Sequence, residues 1–344
     1  GYRVNPSLNS LSLNRWLYRV WVFFFALILQ SCSMAETFVN KDSTASKKTF
    51  SEFIQWRMTK EKSPPRVQIE QSDDWRNLES SSTNYAVWIG HASFLINNGD
   101  LTIMTDPIFS ERASPVAWAG PKRMIPPSIP LADLPPIDVV VISHNHYDHL
   151  DLPSLKALQG ANPEVVILVP QGDKALLEGQ GLQNVHQFRW WQNIRLGKTE
   201  LTFTPVQHWS SRGITDRNSS LWGGWFIKSP SLSLYHAGDT GYSKDFVKTR
   251  ETLGVPDVAF IPIGAYEPRW FMRTQHVNPA EAVQVALDLK APRSFGMHWG
   301  TFILTDEPVK SPPEELKKAL DDRGKASDFF TAPKPGEILS LTRK

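Results

Sequence analysis

The sequence predicts an α/β fold of two packed sheets with helices outside, and three observations lead there. Short β-branched and aromatic runs recur between turn signals from Tyr85 onward. Helical stretches are fewer, and several open on proline followed by an acid. No repeat period is present, so strands that outnumber helices must pack on one another within one body rather than stack as modules. Proline, at 26 of 344 residues, favours strands joined by stiff irregular loops over a helical bundle.

In chain order, the expected strands begin with Ala86–Ile89, Ser93–Asn97, Leu101–Thr105, Val139–Ser143 and Val165–Val169. Leu201–Pro205, Trp222–Ile227, Leu232–His236, Val258–Ile263 and Ser294–His298 follow, with Leu339–Thr342 the last. Helices are expected at Leu152–Gln159, at Lys174–Gly179 after a Gln-Gly turn, and at Pro279–Leu289. Another runs over Pro312–Asp321, whose Pro-Pro-Glu-Glu start suits a helix N-terminus. These elements make one domain over residues 84–344.

The first 35 residues have a different character. Arg15 and Arg19 precede the apolar run Val20–Leu29, and small residues follow it, which describes a signal segment over 1–35. Ten apolar residues are too few to span a bilayer, which needs about 20. Two cleavage positions fit: before Cys32, where Leu29–Gln30–Ser31–Cys32 resembles a lipobox, and after Ala35. The first, which makes a lipidated Cys32, is preferred because the chain's single cysteine stands there. Residues 36–83 are polar, with Ser/Lys clusters and Pro64–Pro65, and read as a linker and extension with an amphipathic piece near Phe50–Met58.

Net charge is +2; setting aside Arg3, Arg15 and Arg19 leaves 34 basic against 35 acidic residues. A near-neutral body carries no nucleic-acid footprint, so no nucleic-acid partner is expected. One cysteine rules out an intrachain disulfide and a Cys-rich zinc cluster, leaving His and Asp as metal ligands.

The chemistry concentrates in His144–Asn145–His146–Tyr147–Asp148–His149, which follows the apolar run Ile137–Ile142. In extended backbone His144 and His146 face the same way and can grip one ion. A turn near Tyr147 re-aims Asp148 and His149 toward a second position. Imidazole and carboxylate suit zinc, with iron or manganese also acceptable. Four local ligands cannot fill two coordination shells. His208, Asp239 and His298 also stand at expected strand ends, where distant segments meet on one rim of a sheet.

HxHxDH, a later His, Gly-Asp-Thr and a late His follow the ligand order of the metallo-β-lactamase fold. Longer blocks resemble one branch, N-acylphosphatidylethanolamine-hydrolysing phospholipase D. These are Asp106–Pro115, Gly120–Arg123, Gln207–Ser210, Leu221–Trp225, Ile261–Met272, Gln275–Val277 and His298–Thr301. The resemblance runs from about Ile89 to the C-terminus. It implies a four-layer αββα sandwich with two mixed sheets. By matching position, one zinc takes His144, His146 and His208, the other takes Asp148, His149 and His298, and Asp239 bridges both. Asp148 and Asp239 are then the catalytic carboxylates, and Gln275 and His276 line the substrate groove.

The implied activity is hydrolysis of N-acylphosphatidylethanolamine or a related glycerophospholipid to N-acylethanolamine and phosphatidic acid. A phospholipid substrate, a membrane surface, an envelope location and a homodimer belong to the same expectation. Rival readings are another hydrolase on this fold, either a lactonase or a nuclease-like phosphodiesterase, and a non-catalytic metal-binding envelope protein. His91 stands as either a donor behind the site or a turn residue, and His186 and His236 as structural. Trp118, Trp209, Trp222, Trp225, Trp270, Phe271 and Trp299 are expected mostly in the core. Arg112, Lys122, Arg123 and Arg269 are the cations weighed for a phosphate.

Overall fold

The structure, a computed structural model, describes residues 36–41, 50–59 and 63–342. The signal segment expected over 1–35, with both its cleavage positions, lies outside the described residues. Two seven-stranded sheets face one another. The first contains β1 (Tyr85–Gly90), β2 (Ser93–Asn97), β3 (Thr102–Thr105), β4 (Val139–Val141), β5 (Val166–Pro170) and β6 (Val185–Phe188). Its order is β14-β1-β2-β3-β4-β5-β6, with β14 (Ile338–Ser340) returning from the C-terminus. The second has β7 (Asn193–Leu196), β8 (Thr199–Thr204), β9 (Gly224–Lys228), β10 (Ser233–His236), β11 (Val258–Pro262), β12 (Arg293–Met297) and β13 (Phe330–Thr331). Its order is the reverse, β13 to β7.

Both sheets are mixed, with the same run of pairings. Three antiparallel pairs (β14–β1, β1–β2, β2–β3) precede three parallel ones in the first sheet. In the second, the antiparallel pairs are β7–β8, β8–β9 and β9–β10, and the rest are parallel. It follows that β1, β3 and β4 run one way in their sheet, and β8, β10 and β12 one way in theirs. Their C-terminal ends therefore share a rim.

Period-two alternation sorts the core into layers. Val139 and Val141 of β4 point between the sheets with Trp88, Phe94, Phe203, Trp225 and Phe260, whereas Val140 and Ile142 point outward. The outward face of the first sheet is covered by Leu155 and Leu158 of α2 (Leu152–Ala161) and Leu177 of α3 (Lys174–Gly179). The second sheet is covered by α6 (Pro279–Leu289) and α7 (Ser311–Asp321), through Val283, Ala286 and Leu316. The result is the four-layer αββα sandwich. Each fully buried aliphatic or aromatic side chain of this kind contributes about 1.5–3 kcal/mol. Among the described residues no helix is long and apolar enough to cross a membrane.

Strands β6, β7 and β13 are absent from the sequence expectation, and all three are sheet edges. Edge strands need bury only part of their side chains, and Asn193–Leu196 accordingly alternates exposed with half-buried positions. Helices α4 (Asp245–Leu253) and α5 (Arg269–Met272) were also not expected. The described part of the 36–83 extension packs on the body rather than running free as a linker. Phe38 N–H donates to Asn218 O at 2.8 Å and Ser72 N–H to Pro335 O at 2.7 Å. Trp75 joins the outer core of the first sheet. Trp56 of α1 (Phe50–Thr59) is buried against Phe271 and Met272.

Candidate metal centre

Six strand ends deliver the site. The β1–β2 turn carries His91, the end of β3 carries Asp106, and the chain after β4 carries His144 to His149. From the second sheet come His208 after β8, Asp239 after β10 and His298 after β12. His91, Asp106 and His298 all have positive φ, at 54°, 37° and 65°. Such backbone is costly for non-glycine residues and tends to gather where function requires a side chain aimed off the strand direction. Gly238 (φ 62°) precedes Asp239; a Cβ there would stand 2.6 Å from Ser143 Cβ and 3.0 Å from Gly223 O. Only glycine lets the two sheets close this tightly beside the site.

The seven residues expected from the sequence meet in one cluster. His146 Nδ1 lies 2.8 Å from His144 Nε2 and 3.3 Å from His208 Nε2. Asp148 Oδ2 lies 3.4 Å from both His149 Nε2 and His298 Nε2. Between the triads, Asp239 Oδ2 is 3.8 Å from His144 Nε2, 3.8 Å from His208 Nε2 and 3.2 Å from His149 Nε2. Its Oδ1 is 3.1 Å from His298 Nε2.

The outward nitrogens of three rings are tied down, which decides the face each of those rings presents. His208 Nδ1–H donates to Gln275 O at 2.9 Å, and His149 Nδ1–H to Asp106 Oδ2 at 2.9 Å. His144 Nδ1 is 3.0 Å from Ser143 Oγ. Asp106 also accepts from Ser143 N–H and Oγ–H, each at 2.7 Å, and from His236 Nε2 at 3.1 Å. His236 is thus structural in the sense expected, but one bond removed from the cluster.

Burial drives His144 and His208 well below the ordinary imidazole range and His146 down to about 4, so these rings keep their lone pairs. Burial alone would raise Asp148 and Asp239, yet the adjacent His149 and His298 hold both well below the usual carboxylate range. In turn burial would lower His149 and His298, but Asp239, Asp148 and, for His149, Asp106 raise His149 well above its ordinary value and His298 to about 9. Two buried carboxylates, Asp106 and Asp239, and the half-buried Asp148 thus demand positive charge. His149 Nε2, His298 Nε2 and Asp239 Oδ1 are buried without a hydrogen-bond partner among the described residues. Neutral imidazoles, orphaned donor atoms and excess buried carboxylate together fit a pair of cations.

Residues beyond those seven complete the site. His91 Nε2–H donates to Asp148 Oδ2 at 2.7 Å, which places it behind the cluster rather than in a plain turn. Asn40, from the extension, brackets His208: it accepts from His208 N–H and donates to His208 O, each at 3.0 Å. The cluster forms the floor of a cavity of about 540 Å³ walled by Trp56, Trp209, Ile214, Phe271, Met272 and Leu304. Gln275 and His276 line it too, and His276 Nδ1 is 4.0 Å from Asp239 Oδ2.

Several aromatic and cationic residues fall elsewhere than expected. Trp222 and Trp225 are fully buried, but Trp118 is 81% and Trp270 47% exposed. Arg123 is buried and donates to Ile108 O and Ser110 O, while Arg269 pairs with Glu281 at 2.7 Å. Neither faces the cavity. The cation that does is Arg217, which lies outside the resembling blocks, between Gln207–Ser210 and Leu221–Trp225.

A model of the β-lactamase superfamily domain matches residues 102–299. N-acyl-phosphatidylethanolamine-hydrolyzing phospholipase D 1 of Caenorhabditis elegans is 40% identical over 274 residues, covering 76% of this chain and 77% of that protein. The mitochondrial N-acyl-phosphatidylethanolamine-hydrolyzing phospholipase D of Saccharomyces cerevisiae is 36% identical over 269 residues, 76% of this chain and 57% of that one. Among solved structures, an isothiocyanate hydrolase from Delia radicum gut bacteria has a TM-score of 0.62 at 19% identity, covering 75% of this chain and 100% of that chain. Identity that low speaks to the fold alone.

Proposed function

The chain belongs to the β-lactamase superfamily, and on that premise we propose that it is a binuclear zinc phosphodiesterase of phospholipase D type. Its substrate is N-acylphosphatidylethanolamine or a related glycerophospholipid, cleaved to N-acylethanolamine and phosphatidic acid. The observation that carries the reading is two groups of ligand residues, one of His144, His146 and His208 and one of Asp148, His149 and His298 with His91 beside it, joined by Asp239 and opening on an apolar-walled cavity. Identity of 40% and 36% to two proteins named for that hydrolysis supports it.

His144, His146 and His208 would hold one ion, and Asp148, His149 and His298 the other. Asp239 reaches both triads with its two oxygens. Two such ions, when bound, lower the pKa of a water and offset the charge that gathers on a phosphoryl group. Asp148, kept ionised by its imidazole neighbours, takes the proton from the attacking water. The His91 hydrogen bond fixes which way that carboxylate faces. Gln275 and His276 orient the headgroup; as the water oxygen bonds to phosphorus, the bond from phosphorus to the ethanolamine oxygen breaks, and the departing oxygen takes the proton that Asp148 holds. The cavity's apolar wall suits an acyl chain.

An envelope location, a Cys32 lipid anchor that keeps the enzyme at its membrane, and a homodimer complete the proposal. Finding the mature N-terminus at Glu36 by mass spectrometry would rule the anchor out. The test of function is incubation of purified enzyme with N-acylphosphatidylethanolamine, a lactone panel and bis(4-nitrophenyl) phosphate. Phospholipid cleavage with about two zinc ions per chain is expected. Lactone turnover without phospholipid cleavage points to a lactonase, cleavage of the bis-ester alone to a nuclease-like enzyme, and metal without any turnover to a binding protein.

A further inference from the structure

The turn after His208 holds three polar side chains in a row, and they have different occupations. Asp216 accepts from the N–H groups of Arg212 and Gly213, at 2.9 and 2.8 Å, and from Ser211 Oγ at 2.8 Å. Asn218 Oδ1 accepts from Ser210 N–H at 3.3 Å. Both serve the turn itself. Arg217 does not: its guanidinium lies over the Trp209 ring, 4.2 Å from the centroid. Among the described residues no carboxylate or carbonyl takes its N–H groups.

Its position matters because Arg217 is the only Lys or Arg that lines the catalytic cavity among the described residues. Trp209, under the guanidinium, packs edge-on against the His146 ring at 4.3 Å between centroids. A fixed positive charge therefore stands one aromatic ring away from the first histidine triad. Stacking restricts the arginine while leaving its five donors available, an arrangement suited to an anionic oxygen group. The same charge is a barrier to a cationic one.

Resting on the phosphodiesterase reading above, we propose that Arg217 determines specificity by net charge: the cavity admits amphiphiles whose phosphodiester charge is uncompensated and turns away zwitterionic headgroups. Phosphatidylethanolamine carries an ammonium beside its phosphate. N-acylation converts that amine to a neutral amide and leaves the phosphate charge alone. Arg217 then gains an attraction to the acylated lipid and loses a repulsion, while the apolar wall of Trp56, Phe271 and Met272 is indifferent to the change.

The experiment compares kcat/KM for N-acylphosphatidylethanolamine and phosphatidylethanolamine in mixed micelles, in wild type and in R217Q, R217E and R217K. The ratio between the two lipids should fall about tenfold to a hundredfold in R217Q, further in R217E, and stay near wild type in R217K. Raising the salt concentration should narrow the wild-type ratio more than the R217Q ratio. Equal losses on both lipids, or no loss on either, would overturn the assignment, since a cation that merely stabilises the turn cannot alter selectivity. If the wild type cleaves neither lipid, the phospholipase reading fails, and Arg217 is judged on bis(4-nitrophenyl) phosphate against a neutral lactone. A fall in that ratio supports the charge-selecting role, and an unchanged ratio rejects it.

Discussion

Three imidazoles converge on Asp148: its Oδ2 is 2.7 Å from His91 Nε2 and 3.4 Å from both His149 Nε2 and His298 Nε2. D148N preserves its size and removes its charge, so turnover should fall by about 10³-fold or more; activity surviving unchanged would sink the proposed mechanism. A second residue-scale prediction concerns Asp173, beside the metal loop. Its Oδ1 accepts from Asn145 Nδ2 at 2.9 Å, and burial pushes the carboxyl up from 3.8 to about 7. Between those two values the folded chain holds a proton that the unfolded chain has released. Stability therefore falls as pH rises through this window and stays reduced above it. D173N lacks that titration, so its stability relative to wild type should improve between pH 4 and pH 8 by up to about 4 kcal/mol. Urea unfolding at both pH values reads this directly, and a constant difference would reject it.

Strand β3 ends in a residue that joins three others. Asp106 accepts from Ser143 at the end of β4, from His149 in the metal loop and from His236 of β10. D106A leaves those buried donors without acceptors and should cost about 3 kcal/mol or more of stability. It should also weaken metal held by Asp148, His149 and His298 by roughly 10–100-fold, read by chelator competition. Helix α1 offers a different test. Trp56 stacks on Phe271 at 5.1 Å and donates to Asp306 at 2.9 Å, so it both docks the helix and walls the cavity. W56A should open helix α1 to limited proteolysis and raise KM for long-chain substrate about tenfold while the global melt shifts little. The continuous apolar run through β4 and the early proline and acid of α6, Pro279 and Glu281, are local signals, and those elements were legible in the sequence. Edge strands such as β7 were not, because a strand with one free edge and one wet face carries no strong pattern.

At the scale of the whole molecule, the sandwich brings the C-terminal ends of both sheets together and leaves their carboxylates to be neutralised. Ions bound only by the folded chain stabilise it by mass action, by about 4 kcal/mol when free metal is a thousandfold above Kd. Stripping metal with dipicolinate should therefore abolish activity and lower Tm by roughly 5–10 °C, with both restored by zinc. A Tm that ignores the chelator would contradict a cation pair tied to both sheets.

The sequence by itself determined two packed sheets with helices outside, most of the central strands, and the string from His144 to His149, all of which rest on patterns a few residues long; the αββα layering was implied by the longer resembling blocks. It also held the seven residues that the structure gathers, although His208, Asp239 and His298 were drawn together only through longer resembling blocks. Tertiary structure alone decided what surrounds them. His91 meets Asp148 across 57 positions, and Asn40 brackets His208 across 168. Arg123, Arg217 and Arg269 look alike as exposed cations in a sequence; packing buries the first, pairs the last and aims Arg217 at the cavity. Separations of that size leave no local trace, because the partner is chosen by how two sheets close on each other.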